Sequence, residues 1–190
     1  MQAVTVDGVF VTAPCNAQVY QPALGTSLWL DYLGCEGGGG TSPPVALSGR
    51  VYMETAVAGY GGNIYNAESG ANLGTFTYSA VPAVTPTTSY GLLNTTLQSV
   101  LLSNNTVNWS FSGDGGLITS PIVVNNYVFI GSTSGNLYGL DAATGNVVWT
   151  QNTGAAFPYA DDTAGLSAGD GLLVVPAGNS IVAYVLSTNP

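Results

Sequence analysis

Histidine is absent from this chain of 190 residues, and lysine and arginine together amount to one residue, Arg50. Without an imidazole, no Ser-His-Asp or Cys-His nucleophilic arrangement can be assembled. A formal net charge of −9 with a single cation cannot neutralise a phosphate backbone, so nucleic acid is excluded as a partner. Anionic membrane surfaces are disfavoured on the same ground. Charged residues make up 6% of the chain, against roughly a quarter in an ordinary globular domain. Solubility therefore rests on Asn, Ser, Thr, Tyr and Gly, and the missing surface ion pairs cost little because each is worth little. Such a surface suits high salt, extreme pH or a dense polymer matrix.

Long apolar runs are missing too. Residues 172–186 are interrupted by Pro176, Gly178, Asn179 and Ser180 and are too short to span a bilayer, so no membrane insertion is expected. The opening MQAVTVDG reads as a strand and not as a basic region followed by an apolar one. If the protein is secreted, its signal is expected to have been removed or to lie upstream.

What is present is a repeat. Residues 120–150, SPIVVNNYVFIGSTSGNLYGLDAATGNVVWT, hold four short apolar or alternating runs. They are separated by NN, TSG and ATG, the residues that tight hairpins need for positive φ or for side-chain bonds to the turn. One four-stranded sheet cannot bury both its faces, so copies must lie elsewhere. Aromatic anchors recur at Trp29, Phe76, Trp109 and Trp149, and inner-strand prolines at Pro44, Pro82 and Pro121. A period of about 40 residues with four strands per unit is that of propeller blades. The expected fold is all-β: a single β-propeller domain of about five four-stranded blades, near residues 3–33, 42–79, 80–113, 118–152 and 164–187. The last blade lacks its outer strand.

The run GNLYGLDAATGNVVW at residues 135–149 resembles the repeat of the pyrroloquinoline-quinone-like (PQQ-like) propeller superfamily. Blade one resembles it through VDGVFV and GTSLW. In this repeat Asp141 can bond the backbone of the following turn, Gly145 supplies positive φ, and Trp149 wedges between adjacent blades. Catalytic members hold a quinone over a calcium ion with acidic and amide side chains, a stacking Trp and often a vicinal disulfide. Cys15 and Cys35 are not adjacent, and no acidic cluster matches the calcium-holding set. The resemblance thus implies a scaffold with no cofactor and no catalytic residues.

Cys15 and Cys35 both fall in blade one. Either they form a disulfide, which stabilises a loop of this length by about 3 kcal/mol, or they are buried thiols acting as small hydrophobes. With no histidine to complete a site, a metal is not expected. Three glycosylation sequons, at Asn94, Asn104 and Asn108, cluster in blade three, where glycans would coat one edge of the ring. Asp31, Glu36, Glu54, Glu68, Asp114, Asp161 and Asp162 are the carboxylates a glycosidase would draw on. Most stand beside glycine in turns, where a carboxylate caps backbone N–H groups. Tyr60, Tyr90 and Tyr159, near turns, are candidate ligand contacts, since exposed rings offer stacking surfaces to sugars or proteins. Tyr52, Tyr65, Tyr138 and Tyr184 are expected between blades.

Blade five ends on SIVAYVL, an apolar edge with no charge to protect it. A strand from another copy can add there, head to tail. The reading is a non-catalytic extracellular or cell-surface structural protein, a self-assembling subunit of a filament, tubule or coat. The alternatives are a carbohydrate-binding, lectin-like propeller with glycan partners, and a fragment of a larger PQQ-like repeat protein.

Overall fold

The computed structural model describes residues 2–4, 8–13, 16–32, 43–54, 61–157 and 165–185. All their regular structure is β. Blade one is β1 (Gln2–Val4), β2 (Val9–Ala13), β3 (Asn16–Tyr20) and β4 (Ser27–Tyr32). Blade two is β5 (Val45–Leu47), β6 (Arg50–Glu54), β7 (Gly62–Asn66) and β8 (Asn72–Phe76). Blade three is β9 (Ala83–Val84), β10 (Thr88–Leu93), β11 (Thr96–Leu101) and β12 (Val107–Phe111). Blade four is β13 (Ile122–Val124), β14 (Tyr127–Gly131), β15 (Asn136–Asp141) and β16 (Val147–Asn152). Blade five is β17 (Ser167–Gly169), β18 (Leu172–Ala177) and β19 (Ser180–Val185). Each sheet is an antiparallel meander in chain order, four-stranded in the first four blades and three-stranded in the fifth.

Turn chemistry fixes these hairpins. Ser48 and Gly49 join β5 to β6, and Asp170 and Gly171 join β17 to β18, all four with positive φ. That is the type I′ geometry that matches strand twist. The turn into each outer strand is built in one way. Gly25, Gly70, Asn105 and Gly145 all have φ between 58° and 73°. Their N–H groups bond the carbonyls of Gln21, Asn66, Leu101 and Asp141 at 2.8–3.0 Å. Asp141 Oδ1 accepts from Ala143 N, Thr144 N and Thr144 Oγ1. Asn66 Oδ1 does the same for Glu68 N, Ser69 N and Ser69 Oγ. Asp141 therefore plays the expected role, and an amide serves as well as a carboxylate.

A bulge in each outer hairpin sets the register. Opposite it stand the pairs Val19–Trp29, Ser99–Trp109 and Gly139–Trp149, and in blade two Ile64–Gly74. The blade-two counterpart of the tryptophans is thus Gly74. Phe76, expected as the fourth anchor, stands two residues further on, opposite Gly62. In each four-stranded blade the anchor position falls four residues after the positive-φ turn residue.

Four apolar clusters link the blades in series. Phe10, Ala17 and Val19 meet Val51, Met53 and Tyr65, and Tyr52 and Phe76 meet Val81. Tyr90, Leu92 and Leu97 meet Val128, Ile130 and Leu140, and Phe129 and Leu137 meet Leu173 and Val175. The cluster between blades two and three is the smallest, with three buried residues.

Candidate functional site

The tryptophans close the blade interfaces. Trp29 of blade one donates its indole N–H to the Ala67 carbonyl of blade two at 3.0 Å. Its ring lies so close to Gly70 that a Cβ there would stand 2.6 Å away. Trp109 of blade three repeats both features on blade four, donating to Ala142 O at 3.1 Å and lying over Gly145. The Tyr90 hydroxyl donates to the same Ala142 carbonyl at 3.2 Å. Trp149 of blade four packs edge-on against Tyr184 of blade five, with centroids 5.3 Å apart.

Blade two breaks the series. With Gly74 at the anchor position, no indole reaches Leu102, which holds in blade three the place of Ala67 and Ala142. The equivalence is firm: the N–H groups of Ala67, Leu102 and Ala142 donate to Gly49, Thr87 and Asn126 carbonyls in the same way. A Cβ added at Gly74 would meet nothing within 4 Å. Tyr52, the register counterpart of Tyr90, is 2% exposed, and its hydroxyl is buried without a hydrogen-bond partner. A cleft of about 400 Å³ opens here, bordered by Tyr52, Arg50, Thr85, Thr87 and Leu101–Ser103. Arg50, the chain's single cation, is exposed, and its guanidinium forms no ion pair or hydrogen bond among the described residues. None of Arg50, Tyr52, Gly74 and Leu102 was expected from sequence as a site. The signal that reveals them is the spacing Gly70-x-x-x-Gly74 where the other turns read Gly25-x-x-x-Trp29 and Gly145-x-x-x-Trp149.

The second open region is blade five. Among the described residues no strand pairs with the outer edge of β19. Leu172–Val185, Val174–Ala183 and Pro176–Ile181 are directly opposite pairs on one sheet face. Ile181 is 77% and Val185 75% exposed. By register these positions match Phe129 and Leu137, the face of blade four that blade five covers.

The remaining expected residues fall in several places. Tyr90 is not a surface contact: it is 5% exposed within β10, because its alternation places it on the interface face, and burial raises its pKa. Tyr60, Tyr159, Cys15 and Cys35 lie outside the described residues, as do Glu36, Asp161 and Asp162. Asn94, Asn104 and Asn108 are all exposed. They do not share one edge, since Asn94 stands in the β10–β11 turn and Asn104 at the opposite end of β11. Tyr52 and Tyr65 are buried, and Tyr138 and Tyr184 are half-buried at interfaces.

Asp31 and Asp114 hold structure together. Asp31 Oδ2 of blade one accepts from the Tyr65 hydroxyl of blade two at 2.7 Å, and Asn63 Nδ2 donates to that hydroxyl at 2.9 Å. Burial first, and then this bond to Asp31, push the Tyr65 pKa well above the ordinary phenol value. Asp114 accepts from Ser132 Oγ, Asn136 Nδ2 and Gly116 N. Desolvation works to raise its pKa, but these bonds outweigh it and the net shift is downward.

The family model described as outer membrane protein assembly factor BamB matches residues 15–157 and 65–188. The chain belongs to this PQQ-like repeat family. Comparison with curated protein sequences finds no match. Among solved structures, this PQQ-like chain is similar to BamB from Moraxella catarrhalis, with a TM-score of 0.71 at 14% identity, over 95% of this chain and 56% of that one. It is similar to the computationally designed Ika8 protein, with a TM-score of 0.72 at 14% identity, over 97% of this chain and 57% of that one. A europium-containing methanol dehydrogenase matches with a TM-score of 0.65 at 11% identity, over 93% and 51% of the two chains. These likenesses establish the β-propeller fold. The PQQ-like chain spans about half the length of these three structures.

Proposed function

We propose that this PQQ-like chain is a non-catalytic structural protein, extracellular or on a cell surface, whose blades assemble with further copies through the open side of blade five. The observation that carries the reading is β19. In blade four the equivalent strand, β15, is paired along its outer edge by β16 from Asn136 to Leu140. In blade five that edge is open among the described residues, and the strand bears no charge, proline or bulge of the kind that protects natural edges. A strand donated by another copy satisfies the free backbone groups by β-augmentation. Because donor and acceptor surfaces differ, the contact propagates into a filament or closes into a ring.

The absence of histidine and the use of Asp31, Asp114 and Asp141 to tie down turns and blade contacts support a scaffold over an enzyme. The test is electron microscopy of the purified protein at neutral and low pH, with Ile181→Lys as control. Regular filaments or tubes that the substitution abolishes support the reading. Dispersed particles at all concentrations overturn it.

The family description favours a second reading, an accessory scaffold in protein assembly at an outer membrane. Under that reading the open blade surfaces engage other proteins, and the chain stays dispersed in the micrographs.

A further inference from the structure

We propose that the open face of blade five docks on the outward face of blade one in a second copy of this chain. The inference rests on the reading that copies assemble through blade five, and it names the surface they meet. Each of the first four blades lays one sheet face on the blade that follows. The receiving positions keep a fixed register. Tyr52 and Phe129 stand opposite the bulge residues Ile64 and Gly139, and the residues flanking them in the strand turn toward the preceding blade. Those residues are Val51 and Met53 in blade two and Val128 and Ile130 in blade four, all 0% exposed.

In blade one Phe10 stands opposite the bulge residue Val19, so Val9 and Val11 hold the receiving positions. Both are only half-buried, and neither belongs to an apolar cluster. Tyr20 and Gln18 lie opposite them on the same face, also half-buried. Blade five presents the complementary half. Val174 and Ile181 there match Phe129 and Leu137, through which blade four meets blade five. Among the described residues no apolar cluster joins blade one to blade five. The single chain leaves both faces open.

Three observations choose a second copy as the occupant. Every chain carries one face of each kind, so copies meet in matched number. The contact continues a type of interface that the molecule already builds four times. Neither face bears a charge: Val9, Val11, Gln18 and Tyr20 receive Val174, Ile181 and Ala183. In a chain of net charge −9, copies repel wherever their acids converge and can pack only where none stand. Because the two faces differ, the contact runs head to tail.

The test is sedimentation velocity of the full chain in three forms: native, Val11→Lys and Ile181→Lys. A lysine on either face loses its hydration when the faces meet. The native protein should associate with rising concentration, and each variant alone should sediment as a monomer. An equimolar mixture of the two variants should give a species of twice the monomer mass and nothing larger. That mixture holds one intact face of each kind, on separate chains. If Val11→Lys lowers the melting temperature, Gln18→Glu takes its place and sets a charge on the same face. Native protein that stays monomeric at every concentration overturns the underlying assembly reading. Native association that survives the blade-one substitution, or a mixture that stays monomeric, overturns the blade-one contact alone.

Discussion

The indole of Trp109 reaches across from blade three and donates to the Ala142 carbonyl of blade four, 3.1 Å away. The ring fits because Gly145 has no side chain to meet it. Truncating Trp109 removes a large interface contact and a hydrogen bond at once. Trp109→Ala is expected to lower stability by about 2–4 kcal/mol, measured by chemical denaturation. Trp109→Phe should cost far less, because Tyr90 still donates to the same carbonyl.

Tyr52 and Tyr90 occupy equivalent positions with opposite hydrogen-bonding fates. Removing the Tyr90 hydroxyl by Tyr90→Phe takes away a bond to Ala142 and is expected to destabilise by about 1 kcal/mol. Removing the partnerless Tyr52 hydroxyl by Tyr52→Phe should be neutral or stabilising. Thermal melts of the two variants side by side decide it, and a larger loss for Tyr52→Phe contradicts the equivalence.

Asp141 and Asp114 both titrate below the ordinary aspartate value. For Asp141 the main cause is the Thr144 side-chain hydrogen bond, followed by the Thr144 and Ala143 N–H groups. A folded pKa below the unfolded one adds stability that is complete above the unfolded value, about 3.9. That stability is lost as pH falls through the folded value. With no histidine in the chain, the melting temperature should be flat from about pH 5 to 8 and fall only below about pH 4. Asp141→Asn should keep the turn, since Asn66 already holds the same turn in blade two. Asp141→Ala should lower the melting temperature. A decline that begins near pH 6 contradicts this account.

Ile181 contacts little in the single chain, with 77% of its surface exposed. Ile181→Lys should therefore leave the melting temperature of dilute protein unchanged while reducing concentration-dependent association in sedimentation velocity. A drop in both would mean that the residue supports the fold and not the assembly.

The sequence carried the repeat clearly wherever local chemistry dictated geometry. The DAATG turn and the alternation along β15 follow from residues within one blade, and the tryptophans show themselves by their recurring place after the turn. Blade two was harder to read because its outer strand keeps an aromatic, Phe76, near the anchor position. Only the bulge register reveals that Gly74 holds the place of tryptophan. Tyr90 was misread as a turn residue for a related reason: its burial is decided by the neighbouring blade, which sequence spacing does not display. The cleft itself had no sequence signature beyond an irregular interval, since it arises from a side chain that is absent.

Arg50 has one more consequence. Trypsin cuts after lysine or arginine, so this chain offers it a single bond, between Arg50 and Val51. That bond lies within β6, paired to β7 through Asn66 and Tyr65, and Val51 is fully buried. With no lysine anywhere, amine-directed chemistry finds only the chain's α-amino group. A surface built this way is nearly invisible to proteases that cut at basic residues and to lysine cross-linking.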